Sequence, residues 1–461
     1  MALKFNKYRR TLEQEEHRYR VHDVADPRLF RDLFPYTEIP KITFNNRVVP
    51  MMPPEEIWIT DTTFRDGQQA LSPFSVEQIS DLFDMMHKLG GPKGIIRQSE
   101  FFIYSDKDKK AVRKCMEKGY EFPIITSWIR ANKNDFKLVK EMGLKETGIL
   151  TSCSDYHIFL KLKKSRKEAL EMYLDIVKGA LDEGITPRCH FEDITRADFY
   201  GFVVPFATEL MRLAKEYKTN IRIRACDTMG YAVAYPGAAV PRNVDGIMYG
   251  LMQLAGVPSE WLEWHGHNDF YRALTNATFA WLYGCSGVNA TLLGIGERTG
   301  NTPIEAMCIE YEAFRGTNDG MDLSVITDIA RYFEKEIGYQ IPPQQPFVGA
   351  NFNVTKAGIH ADGLMKNPEI YNVFDTEAIL KRPPDVAITN MSGLAGITFW
   401  INNKLSQASG KKIEKDDPGI EKIKEWIDEE FAKGRVNALS NEEMLDLVKK
   451  FLPKYYPKKL K

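Results

Sequence analysis

The stretch "EWHGHNDF" at residues 263–270 sets His265 and His267 one residue apart, in a chain of 461 residues with eight histidines. Side chains two apart on a β-strand point to the same face, so on a strand these imidazoles would share one. Two ring nitrogens plus a carboxylate or carboxamide make a mixed nitrogen–oxygen site for a divalent ion. "TTFRDGQQ" offers Asp66 as the carboxylate, flanked by Arg65 and Gln69, and "GIGERTGN" ends in Asn301. With no thiolate in the set, Mn2+ is favoured, Mg2+ is close behind, and Co2+ or catalytic Zn2+ are alternatives. The competing reading is a pair of hydrogen-bonded histidines in a polar core, and the pair alone leaves both open.

Which reading holds depends on the elements that carry these residues. Short β-prone runs recur from Glu56 onward: "EIWITDTTF" (56–64), "GIIRQSEFF" (94–102), "FPIITSW" (122–128), "ETGILTSC" (146–153), "ITPRCHFE" (185–192), "IRIRACDT" (221–228), "LEWHGHND" (262–269) and "VNATLLGIG" (288–296). Between them, segments such as "SVEQISDLFDMMHKLG" and "EALEMYLDIVKGALDEG" repeat apolar residues every three or four positions, the spacing of amphipathic helices. Strands alternating with helices in this way predict an α/β fold, a (β/α)8 TIM barrel. An open doubly wound sheet is the rival, but no Gly-x-Gly-x-x-Gly follows the first strand.

Such barrels build their active sites at the C-terminal ends of the strands. The polar residues expected there are Arg65, Asp66 and Gln69 after strand 1, Gln98 and Glu100 at strand 2, and Arg130 after strand 3. Strand 5 contributes Arg188, His190 and Glu192, strand 6 Asp227 and Thr228, strand 7 the histidine pair, and the loop after strand 8 Asn301. Strands 1 and 8 are neighbours in a closed barrel, so Asp66, His267 and Asn301 can converge.

Residues 1–54, charged and then proline-punctuated, read as an N-terminal extension. Residues 55–325 read as the barrel, and 326–461 as a C-terminal helical lid or dimerisation region, too short to add a regulatory domain of about 100–150 residues. "SNEE" at 440–443 fits a capping box. A net charge of −1 offers no basic stripe for nucleic acid, and "KLKKSRK" and "KYYPKKLK" read as solvated faces. No apolar run reaches about 18 residues, so no membrane span is expected. Six scattered cysteines without C-x-x-C spacing argue against a zinc or dithiol motif and for a reduced, cytoplasmic chain. The N-terminus lacks the apolar stretch of a signal peptide.

Together, "DTTFRDGQQ", "HGHND", "GIGERTGN" and "KAGIHADG" resemble the acyl-CoA-dependent Claisen condensation branch of the DRE-TIM metallolyases, over roughly residues 55–400. The resemblance implies Asp66, His265 and His267 as metal ligands, with Asn301 as a further or alternating one. The ion would chelate a 2-oxo acid, and Arg65 would hydrogen-bond its keto oxygen. His360 would take the α-proton of acetyl-CoA, with Tyr371 nearby, both contributed across a homodimer. Glu192 would be a second acid–base group. Where the family has a strand-2 glutamate, this chain has Gln98, with Glu100 two residues on and facing the same side; either could take the orienting role.

The resemblance also bears on the substrate. Arg188 and Thr228 match positions that hold the distal carboxylate of 2-oxoglutarate in homocitrate synthases, while His190 stands where those have serine. A buried arginine beside the substrate argues for a diacid, since a branched aliphatic one would leave the charge unpaired. An imidazole in place of a hydroxyl should shorten the pocket, so the expected reaction joins acetyl-CoA, oxaloacetate and water to give citrate and CoA. Condensation with 2-oxoglutarate or 2-oxoisovalerate is the alternative; Gln69, Gln98 and Arg130 complete the expected substrate-binding set. A lyase running the chemistry backwards would carry a glycine–cysteine loop after strand 8, where this chain has "GERTGN". A biotin-dependent carboxyltransferase would need a lysine that "CHFED" lacks. A metal-binding barrel without catalysis is the non-enzyme alternative.

Overall fold

A computed structural model describes residues 3–7, 10–14, 18–356 and 358–457. The chain forms two compact units, Met1–Asp322 and Leu323–Lys461.

In the first unit eight parallel strands close into a barrel: β1 Trp58–Asp61, β2 Ile96–Phe101, β3 Ile124–Ile129, β4 Glu146–Ser152, β5 Thr186–Glu192, β6 Arg222–Asp227, β7 Leu262–Gly266 and β8 Gly287–Ala290. Each pairs with the next, and β8 returns to β1 through Asn289 opposite Thr60. All eight expected strands are present. The first and last end earlier than their β-prone residues suggested, because Thr62 turns the chain back and Leu292–Gly294 coil into a short helical turn.

Alternation along the strands separates two environments. Phe191, Ile223, Ala225, Leu262, Trp264, Val288 and Ala290 are buried apolar residues on the face packed under the helices. The intervening positions, including Arg188, His190, Arg224, Glu263, His265 and Asn289, are buried and polar. The barrel interior is therefore a hydrogen-bonded, charged core, where branched apolar side chains are the usual filling. Helices α1 (Val76–Gly90), α2 (Asp106–Met116) and α4 (Arg166–Asp182), with the short α3 (Phe136–Glu141) between the last two, follow β1 to β4. Of these, α1, α2 and α4 each start at a serine that closes a reciprocal capping box: Ser75, Ser105 and Ser165. Such a box satisfies two of the helix's unpaired N–H groups.

Residues 18–52 lie along the outside of the barrel. His22 donates to Gly201 O at 2.9 Å, Arg242 reaches Lys41 O at 2.7 Å, Ala239 donates to Thr43 O at 2.8 Å, and Met52 donates to Leu282 O at 2.9 Å. Arg166, fully buried, grips Asp155 with two bonds and also donates to His22 O at 2.9 Å.

The second unit is helical and has its own core, formed among others by Ile397, Trp400, Ile401, Ile420, Ile423, Ile427, Met444 and Val448. The Ser440 capping box forms as expected. "KAGIHADG", which could have been only a turn, enters a helix, Gly358–Lys366, whose Ala361 and Leu364 are buried in that core; Ala357 lies outside the described residues. No helix among the described residues is long and apolar enough to cross a membrane.

Candidate active site

The loop after β1 builds one wall. Thr62 O accepts the N–H groups of Arg65, Asp66 and Gly67 at 3.1, 2.8 and 3.1 Å, a tight turn that buries Asp66 beside the end of β7. His265 lies on β7 and His267 just past its end, where His267 N bonds Asp227 O at 3.3 Å and bridges to Asn301. The loop from Gly294 to Asn301 folds back on itself through Gly300, whose φ is +87° and where a Cβ would stand 2.1 Å from Gly294 O. Only glycine fits that approach.

Among the described residues, Asp66, His265 and His267 form the cluster suited to a cation, with one donor atom from each within 4.8 Å of the others. The two Nε2 atoms are 3.3 Å apart, and Asp66 Oδ2 lies 3.6 and 3.9 Å from them. Donors on a common divalent ion at about 2.1 Å stand at about these separations. Burial and the neighbouring His267 push the His265 ring down to about 3, and burial lowers His267 too. Burial would raise Asp66, but Arg65 and the two rings hold it below the usual carboxylate range. Neutral imidazoles with an ionised carboxylate are the protonation states a metal requires. Two buried polar atoms here lack partners, His267 Nδ1 and Asn301 Oδ1. Asn301 Nδ2 is bound by Ile295 O at 3.0 Å and lies 3.5 Å from Asp66 Oδ1. The donor set fits a divalent ion.

Arg65 donates to Asp66 Oδ2 at 2.9 Å, stacks 4.6 Å over Trp128, and keeps a buried Nε without a partner. That geometry suits it to stabilise charge developing on an oxygen placed beside it.

The polar core ties Arg188 into a charge network. Arg188 was expected to keep its charge for a substrate carboxylate, but it bonds Gln98 and Glu146 and lies 3.0 Å from Glu263 Oε2. Its charge has partners within the protein, supplied by β2, β4 and β7, while its buried Nε and Nη1 make no hydrogen bond. Gln98 is drawn into the same cluster through Glu146, at 3.0 Å. Glu100 instead accepts from Arg224 at 2.9 Å and Thr62 at 3.1 Å, and Arg224 also donates to Glu263 at 3.1 Å. Glu100 Oε2 and His190 Nε2 face each other at 3.4 Å, both buried and neither in hydrogen-bond geometry. Burial and the Arg224 charge bring His190 down to about 4, so it is a neutral ring near pH 7.

Other expected residues divide. Burial favours a protonated Glu192, but His157 at 3.1 Å and Ser152 overcome it and hold the carboxyl at about 2. With those partners in place Glu192 rests in its ionised form near neutrality. His157 sits on the turn after β4, a strand end for which the sequence reading named no polar residue, although the strand-end rule points there too. Thr228 accepts from Asp193 N at 2.8 Å. Gln69 is exposed, and its neighbour Gln68 is the glutamine that turns inward. Arg130 is an exposed rim residue, paired with Asp135 at 3.2 Å and stacked on Tyr104. In the second unit the rings of His360 and Tyr371 lie against each other at a tilt of 50°, with centres 4.5 Å apart.

The fold and the cluster together define a (β/α)8-barrel protein with a carboxylate–bis-histidine centre at the carboxyl ends of its strands. The chain belongs to the HMGL-like family, whose profile matches residues 56–332. It is 57% identical over 456 residues to a protein named Citrate (Re)-synthase from Syntrophus aciditrophicus, covering 98% of this chain and 72% of that one. It is 56% identical over 440 residues to the Citrate (Re)-synthase of Clostridium kluyveri, covering 95% and 97%. The 2-phosphinomethylmalate synthase of Streptomyces hygroscopicus is 36% identical over 436 residues, covering 93% and 98%.

Proposed function

We propose that this chain is a Re-face-selective citrate synthase, joining acetyl-CoA to oxaloacetate and releasing CoA by hydrolysis. The observation that carries this reading is the 56% identity to the Clostridium kluyveri protein, which spans 95% of this chain and 97% of that one. Asp66, His265 and His267 would hold a divalent ion, manganese first, with Asn301 as a further ligand. When bound, that ion would orient the 2-oxo acid and polarise its keto group.

The chain's own groups would do the rest. His360, with Tyr371 against it, would accept a proton from the acetyl methyl group. The resulting carbon nucleophile would form the new bond to the keto carbon, and the oxygen left negative would take a hydrogen bond from Arg65 until it is protonated. Water would then cleave the thioester, giving citrate and CoA. Glu192, kept ionised by His157 and Ser152, would repel a misplaced carboxylate and orient groups that donate hydrogen bonds. We further propose a homodimer and a cytoplasmic location.

Thiol release from acetyl-CoA, measured side by side with oxaloacetate, 2-oxoglutarate and 2-oxoisovalerate in the presence of Mn2+, tests the reading. Oxaloacetate should give the highest kcat/KM, and the labelled acetyl carbons should enter one arm of citrate. Faster turnover of either other acid would overturn it.

A further inference from the structure

We infer that Asn289 and Thr60 are positioning residues that fix which ring nitrogen of His265 carries the proton, so that its Nε2 lone pair faces Asp66 and His267. The inference rests on reading that triad as a metal centre. It follows from a chain of bonds across three adjacent strands, each of which can run in only one direction.

The chain starts at Glu263 on β7. Its oxygens lie 3.1 Å from Arg224 Nη2 and 3.0 Å from Arg188 Nε, and a guanidinium can only donate, so Glu263 accepts. Thr60 on β1 bonds Glu263 through its hydroxyl, which commits the hydroxyl proton to the carboxylate. Thr60 Oγ1 can then only accept from its other neighbour, Asn289 Nδ2, at 3.0 Å. That orients the Asn289 amide, whose Oδ1 lies 2.8 Å from His265 Nδ1. A carboxamide oxygen cannot donate, so the proton of the neutral ring sits on Nδ1. Nε2 is left as a bare lone pair at the cluster.

The register makes these contacts possible: Asn289 lies directly opposite Thr60 on one side and His265 on the other. A reversed amide would present N–H to Nδ1, move the ring proton to Nε2, and aim it at the other donors. Partners of metal-binding histidines act in this way and alter metal affinity about 10- to 100-fold when removed. Thr60 stands one hydrogen bond beyond Asn289 and acts only through its orientation.

Two measurements on the full chain test this. The first is isothermal titration of Mn2+ and Co2+ into Asn289→Leu, Asn289→Asp, Thr60→Val and Thr60→Ser. Asn289→Leu and Thr60→Val should weaken binding about 10- to 100-fold, while Asn289→Asp and Thr60→Ser keep the required acceptor or hydroxyl and should stay within about threefold of wild type. The inference is overturned if Thr60→Val binds as tightly as wild type, or if Thr60→Ser binds as weakly as Thr60→Val. The second reads the wild type itself: ring nitrogen-15 shifts of labelled, metal-free protein, with the His265 signals assigned by comparison with His265→Gln. Protonated Nδ1 and bare Nε2 are expected, and the opposite tautomer overturns the proposal. A wild type with the expected tautomer but no affinity for either ion would sink the metal-centre reading instead.

Discussion

Replacing Gly148 with alanine should destabilise the protein, although the same change in an ordinary strand stabilises it. Gly148 lies on β4, and a Cβ there would stand 2.6 Å from His190 Nε2 and 2.9 Å from Glu100 Oε2. Ordinary contacts of this kind need about 3.5 Å. Neither neighbour can retreat freely: Glu100 is tied to Arg224 and Thr62 at 2.9 and 3.1 Å, and His190 is only 3% exposed. Overpacking a tight interior costs about 1–3 kcal/mol, while losing a strand glycine returns about 0.5–1 kcal/mol. The net loss should be about 1 kcal/mol. In a His190→Ser background the nearer obstruction is gone and Glu100 Oε2 at 2.9 Å remains, so Gly148→Ala should cost clearly less there than in the wild type. Urea unfolding of the four proteins, with the slope against denaturant unchanged, gives the coupling energy directly. The sign is the test. If Gly148→Ala stabilises both backgrounds equally, Gly148 does not make the room for His190, and the pocket is not shaped by this pair.

Arg188→Leu should lower the unfolding free energy by about 3 kcal/mol, since it strips a partner from the buried carboxylate of Glu263 and from the partly buried one of Glu146. Unchanged stability with a raised KM for the 2-oxo acid would instead return Arg188 to the substrate. Burial lifts both Asp61 and Asp227 to about 6, so the folded chain holds these protons more tightly than the unfolded one. Their contribution is most favourable below about pH 4 and is lost as pH rises through about 6; Asp227→Asn should flatten that part of a stability–pH curve measured by denaturant, and an unaltered curve would refute the assignment.

The barrel was legible because each strand is a short β-prone run and each helix repeats its apolar residues, both local signals. Asp66 and the histidine pair were legible because spacing put the pair on one face and closure put β1 near β7. The partners of Arg188 within the protein were not legible, since Glu146 and Glu263 lie far away in sequence and nothing local announces them. Asn289, Thr60 and Gly148 also carry no local mark: each matters only through what stands across the strand. Their one available signal was alternation, which makes 289 an inward position of β8. The end of β1 was overrun because Thr62, Thr63 and Phe64 favour extended backbone, while the hydrogen bonds to Thr62 O bend them away.

The outer segment 18–52 has a consequence for the order of assembly. Its anchors run from Asp155 and Arg166 through Gly201, Ala239 and Arg242 to Leu282, all made long after it. At about 5–20 residues per second on the ribosome, the segment must wait on the order of ten seconds or more before its last anchor exists. The segment is therefore made well before the elements that hold it, and for that interval its apolar residues, Phe34 among them, depend on whatever else in the cell can cover them.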